Sequence, residues 1–178
     1  MQRTTNKVLK RRIDADIVAQ LDTATTNLGG ATTMSLASIA KAKVTLGENE
    51  VSTEEVDKMW AVMTPAVEGY LMQIPEFTKA SYVDMKYLTG PMRRTLRWAG
   101  FNWIFHPNLT GVGTAEEKTY FFHQDAIGSA FDSGEGLNVA IGYNDEQDYS
   151  YARASSFTAA KMLQQSGMVQ FKHDASNI

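Results

Sequence analysis

Between Asn6 and Leu21 the apolar residues Val8, Leu9, Ile13, Ile17, Val18 and Leu21 recur at helical spacing, which predicts a helix over that span. Lys7, Lys10, Arg11 and Arg12 take its polar side, followed by Asp14 and Asp16. The preceding MQRTT has nothing to bury, so the helix is expected to begin abruptly; Gly29-Gly30 lies beyond its end. Thr33-Met34-Ser35 opens a second helix, with Leu36, Ile39, Ala40, Lys43 and Val44 on one face, and Gly47 ends it after Leu46. MWAVMT (59–64) is a short apolar run of the kind a buried strand shows. Thr64-Pro65 then supplies an N-cap and a proline for a first helical position, predicting a helix through Ile74 that Pro75 closes.

Further along, the period falls to two. RWAGFNWIFHPNL (97–109) reads as one strand, in which Trp98, Gly100, Asn102, Ile104 and His106 alternate with Ala99, Phe101, Trp103 and Phe105. TYFFHQ (119–124) and LNVAIGY (137–143) also read as strands, and DAIGSAFD (125–132) between them as a short helix. From Asp148 the alanines and Lys161 suit a helix, whereas the shared parity of Tyr149, Tyr151 and Phe157 favours an extended chain. GMVQFKHD (167–174) closes the sequence as a clearer strand. Helices and strands alternate without a βαβ rhythm, and no repeat or linker divides the chain. The pattern is that of one α+β domain over residues 1–178.

Composition removes several chemistries. The chain has no cysteine, which excludes disulfides, thiolate metal sites and cysteine nucleophiles. A net charge of −3 gives no general pull toward nucleic acid or anionic membrane. No apolar run approaches the ~20 residues a spanning helix needs. Nine methionines suit adaptable apolar packing. His106, His123 and His173 have no second histidine at i+2, i+3 or i+4, so a metal centre would need assembly by the fold. Asp145, Glu146 and Asp148 suggest a cation loop, yet counting from Asp145 puts Ser150 where an EF-hand needs glycine and Ser156 where it needs glutamate. These acids read better as a solvated turn or an interface charge. LTGVGT lacks the third glycine of a dinucleotide cradle, and no GxSxG is present. The cluster Arg93, Arg94, Arg97 with Trp98 could meet nucleic acid or acids on a neighbouring subunit, and the acidic chain favours the second.

Four stretches, MWAVMTPAVEGYLMQIPEFTKASYV, RWAGFNWIFHPNL, TYFFHQDAIGSAFD and GYNDEQDYSYARASSFTAAKMLQQSGMVQFKHD, together resemble, in order, tailed-bacteriophage major capsid proteins of the Hong Kong 97 fold. The resemblance covers roughly residues 8–175. It implies a shell subunit in which residues 6–21 end a spine helix, residues 31–141 are mainly an axial region with a central sheet flanked by helices, and residues 142–178 run as a long peripheral strand returning to that sheet. It also implies a C-terminal portion, because members of the family carry an N-terminal arm, an extended loop and the start of the spine helix ahead of this region. The expected function is structural and non-enzymatic, without cofactor, metal, membrane, small-molecule substrate or sequence-specific nucleic acid. The expected partners are further copies in capsid hexamers and pentamers, within a virion assembled in a bacterial cytoplasm. Arg93, Arg94, Arg97, Trp98, Asp145, Glu146, Asp148, Tyr149 and Tyr151 are the expected subunit-interface residues. Two alternatives stand beside this reading: a metal-dependent hydrolase using His106 and His123 with nearby acids, and a cellular nanocompartment shell of the same fold.

Overall fold

The computed structural model describes residues 2–29, 33–78, 95–131, 138–155 and 157–176. Helix α1 runs over Gln2–Leu21, so it begins earlier than the apolar spacing indicates. Helix α2, Leu36–Glu48, starts at Ser35, whose hydroxyl accepts from the Ser38 amide at 3.3 Å. Helix α3, Pro65–Gln73, starts at Thr64, whose hydroxyl accepts from the Val67 amide at 3.4 Å while Pro65 occupies the first turn. Each cap supplies an acceptor for an amide that has no partner inside its helix. A four-residue turn, α4 (Pro75–Thr78), follows directly.

Five strands form the central sheet in the order β2 (Thr95–Trp98), β3 (Phe101–Phe105), β1 (Met59–Met63), β4 (Glu117–His123) and β9 (Met168–His173). Only β1 and β3 are parallel. Side-chain alternation sorts the strands onto two buried faces. Met59, Ala61, Met63, Phe121, Val169 and Phe171 point toward α2 and α3, where Ile39, Leu46, Val67 and Leu71 meet them. Val62, Tyr120 and Met168 point the other way, toward Leu21 at the end of α1, with Ile17 and Val18 packed alongside. A polar contact fixes that helix end: the Asp22 carboxylate accepts from Lys118 Nζ and, at 3.1 Å, from the Tyr120 hydroxyl.

Two expectations require correction. Residues 97–109 are not one strand: β2 and β3 form a hairpin closed by Ala99 and Gly100, both at positive φ (54° and 83°). That two-residue loop has the left-handed geometry whose twist suits antiparallel strands. DAIGSAFD is not a helix beyond one short turn at Gln124–Ala126; Ile127–Phe131 is strand β5. Its backbone pairs with β8 (Thr158–Met162), and this tertiary ladder outweighs the local preference of its alanines. The extended reading of the tail holds, as two successive strands, β7 (Tyr149–Ser155) and β8. Strand β7 pairs with β6 (Asn138–Asn144) in a separate antiparallel hairpin.

Candidate subunit interface

The β6–β7 hairpin is held by backbone pairing from Asn138↔Ser155 to Asn144↔Tyr149, which leaves a four-residue loop, Asp145 to Asp148. The loop is shaped locally. The Asn144 side-chain oxygen accepts from the amides of Glu146 (3.0 Å) and Gln147 (3.4 Å), an Asx-type turn. Asp148 sits at φ 49°, in the left-handed region an aspartate tolerates. Its carboxylate accepts from the Tyr143 hydroxyl, a bond that raises the pKa of that phenol. The acids singled out in the sequence thus form a solvated turn. Among the described residues no group of three His, Asp or Glu side chains is placed to hold a metal ion.

Above the turn both faces of the hairpin carry large side chains in water. Ile141 (75% exposed) and Tyr143 (57%) stand on one face. Tyr149 and Tyr151 (46% each) stand on the other, with ring centroids 6.4 Å apart. Tyr151 lies across Gly142, its cross-strand partner; a Cβ on Gly142 would come within 2.5 Å of the ring. Glycine is therefore required there for the tyrosine to lie flat.

The arginine cluster divides. Arg93 and Arg94 lie outside the described residues. Arg97 Nε donates to Asn102 Oδ1 at 3.0 Å, and its Nη2 bonds Asp57 of the same chain in an exposed pair. Such a pair adds little stability. Trp98 is buried, edge-on to Phe77 at 5.0 Å, and its carbonyl accepts from Trp103 Nε1 at 3.0 Å. It shapes the surface from below rather than forming it.

His106 and His123 do not converge. His123 pairs with Met59 at one end of β1, whereas His106 follows Phe105 beside Met63 at the other. The His106 ring lies 4.0 Å from Asp14 of α1, and His123 Nδ1 accepts from the Asp125 amide at 3.3 Å. The sequence reading gave no role to His173, which is fully buried with Glu117. Its Nε2 lies 3.3 Å from both Glu117 Oε1 and Thr64 Oγ1, and Glu117 Oε2 accepts from the Gly113 amide at 2.7 Å. Burial lowers the pKa of His173 against the opposing pull of Glu117. The trio is not a nucleophilic triad, because hydroxyl and carboxylate share one ring nitrogen and none of the three reaches solvent. The signal for it was strand parity: His173 follows Val169 and Phe171, and Glu117 precedes Thr119 and Phe121, on the buried side.

A second exposed surface lies on α1. Lys7, Val8, Lys10, Arg11 and Arg12 are all solvent-facing, and only Arg12 has an acidic partner among the described residues, Asp16 at 3.4 Å.

Comparison with known proteins gives one family. A family model described as phage capsid protein matches residues 4–175. No curated protein matches the sequence. Among solved structures, a chain from Mycobacterium phage Che8 superposes with a TM-score of 0.77 at 18% identity, covering 96% of this chain and 61% of that one. The capsid of cyanophage P-SCSP1u superposes at 0.57 with 14% identity, over 89% of this chain and 59% of that one. An encapsulin complex from Synechococcus elongatus gives 0.55 at 14% identity, over 98% and 65%. The chain therefore spans about 60% of the length of the first structures it matches, and the fold they share with it is the Hong Kong 97-like capsid fold.

Proposed function

The chain belongs to the phage capsid protein family, and from that premise we propose that it is a structural subunit of an icosahedral virion shell, built by self-association and without catalytic function. The observation that carries this reading is the family match across residues 4–175, nearly the whole chain. The exposed β6–β7 hairpin supports it, since a subunit of a closed shell needs protruding surface that another copy covers. In this reading residues 6–21 end the spine helix, residues 31–141 are mainly axial, and residues 142–178 are peripheral before β9 rejoins the central sheet. Arg93, Arg94, Arg97, Asp145, Glu146, Asp148, Tyr149 and Tyr151 are proposed interface residues, with Trp98 as the buried support beneath Arg97. The encapsulin likeness supports the same fold at a lower score, and a cellular nanocompartment shell of that fold is the second reading.

Sedimentation velocity and negative-stain imaging of the purified chain over a wide concentration range test the proposal. Concentration-dependent oligomers or shells are expected. Charge reversal at Arg93, Arg94 and Arg97 should weaken association while cooperative unfolding is kept, because the Arg97–Asp57 pair is exposed. A protein that stays monomeric at every concentration would overturn the shell reading.

A further inference from the structure

Two surfaces of this subunit are uncovered and chemically complementary. The β6–β7 hairpin is exposed on both faces, with Ile141, Tyr143, Tyr149 and Tyr151 all in water. A two-stranded sheet with no covering layer is marginal by itself. The hairpin, Asn138 to Ser155, holds three acids at its tip, Asp145, Glu146 and Asp148, and one cation, Arg153, toward its far end. On α1, Lys7 to Arg12 holds four cations and no acid, grouped around Val8, which is 58% exposed. Lys7, Lys10 and Arg11 have no acidic partner among the described residues.

We propose that the β6–β7 hairpin of one copy docks on the Lys7–Arg12 stripe of α1 in a second copy. The proposal rests on the shell-subunit reading and specifies which two surfaces meet. Each surface is exposed within its own chain, so a single contact between copies accounts for both. Asp145 and Glu146 at the tip would face the cations, and the tyrosine rings would offer their faces to arginine or lysine while covering Val8. Nucleic acid on the stripe would satisfy the cations but leave four large side chains of the hairpin in water. Because hairpin and helix are different surfaces, the contact is head-to-tail, and repetition closes a ring when the rotation allows.

A charge swap tests this. Asp145→Lys with Glu146→Lys alters the tip, and Lys7→Glu with Arg11→Glu alters the helix. Asp148 is left alone, since it sits at φ 49° and holds Tyr143. All four positions are exposed, and glutamate forms helix about as well as lysine or arginine, so both variants should melt like the parent. Each variant alone should weaken self-association by about tenfold or more, and the combined variant should restore most of it. Association of the parent should also weaken with added salt. Self-association unchanged by either variant would overturn this pairing and leave the shell reading standing; no self-association by the parent would remove both. Loss of duplex-DNA retention in the helix variant, with self-association intact, would assign the stripe to nucleic acid and overturn the proposal.

Discussion

Asn102 in β3 is buried, and its side chain reaches the short stretch of backbone that leads into β1. Nδ2 lies within donating distance of the carbonyls of Val56 (2.8 Å), Asp57 (3.2 Å) and Met59 (3.1 Å), while Oδ1 accepts from Arg97 Nε at 3.0 Å. It therefore holds the approach to β1 against β3. Asn102→Ala removes those bonds and leaves the buried Met59 carbonyl without this donor, so a loss of about 2 kcal/mol is expected from urea unfolding. A change below about 0.5 kcal/mol, within the usual range for surface substitutions, would show that water replaces the amide without cost. Nothing in the alternation of residues 97–109 separates Asn102 from its apolar neighbours, because Phe101, Asn102 and Trp103 are buried in succession, on both parities. The hairpin turn was hidden for a related reason. Turns of this kind favour Asn-Gly, but here Ala99 occupies the first left-handed position. Gly100 follows at φ 83°, where a side chain would be strained.

Strands β4 and β9 pair over Glu117↔His173 to Phe122↔Met168, and the buried Glu117–His173 contact closes that ladder at one end. Thr64 reaches the same imidazole while capping α3, so one polar cluster ties the edge of the sheet to a helix start. Tyr70 of α3 adds a second tie through its hydroxyl to the Asp174 carbonyl. Because burial lowers the His173 pKa in the fold, the unfolded chain binds the proton more readily below its ordinary value of about 6.5. This contribution to stability is complete above that pH and is lost as pH falls through the folded-state pKa. The urea midpoint should therefore drop from neutral pH toward pH ~5, and His173→Gln should flatten that limb of the profile. Imidazole resonances of His173 titrating above 6.5 would reverse the sign and refute the assignment. Element types were legible wherever one period dominated, as in α1, α2, α3, β1 and β9. At DAIGSAFD they were not, because the decisive partner, β8, lies some thirty residues downstream in the ladder Ile127↔Met162.

At the level of the whole molecule, the two buried clusters draw on α1, α2, α3, α4 and the central sheet, with flanking residues from β5 and β8, and, among the described side chains, on none from Ala140 to Arg153. The body and the β6–β7 hairpin should accordingly differ in local stability. The family and the α+β class could be read from the ordered signatures along the sequence. The complementarity of tip and helix could not, because it depends on which charges remain exposed after folding. Hydrogen exchange separates the two scales. In dilute protein, amides of β1, β3 and β4 should exchange only through global unfolding, while those of β6 and β7 should open with little protection, since Ile141, Tyr143, Tyr149 and Tyr151 are all exposed. On concentration into the associated state, the hairpin amides should gain protection together with those of Lys7 to Arg12 in α1, while the central sheet is unchanged. Slow hairpin exchange already present in the monomer would mean that the subunit stabilises this ribbon by itself. The need for a covering partner would then disappear, and the acidic tip would revert to a solvated turn with no surface to meet.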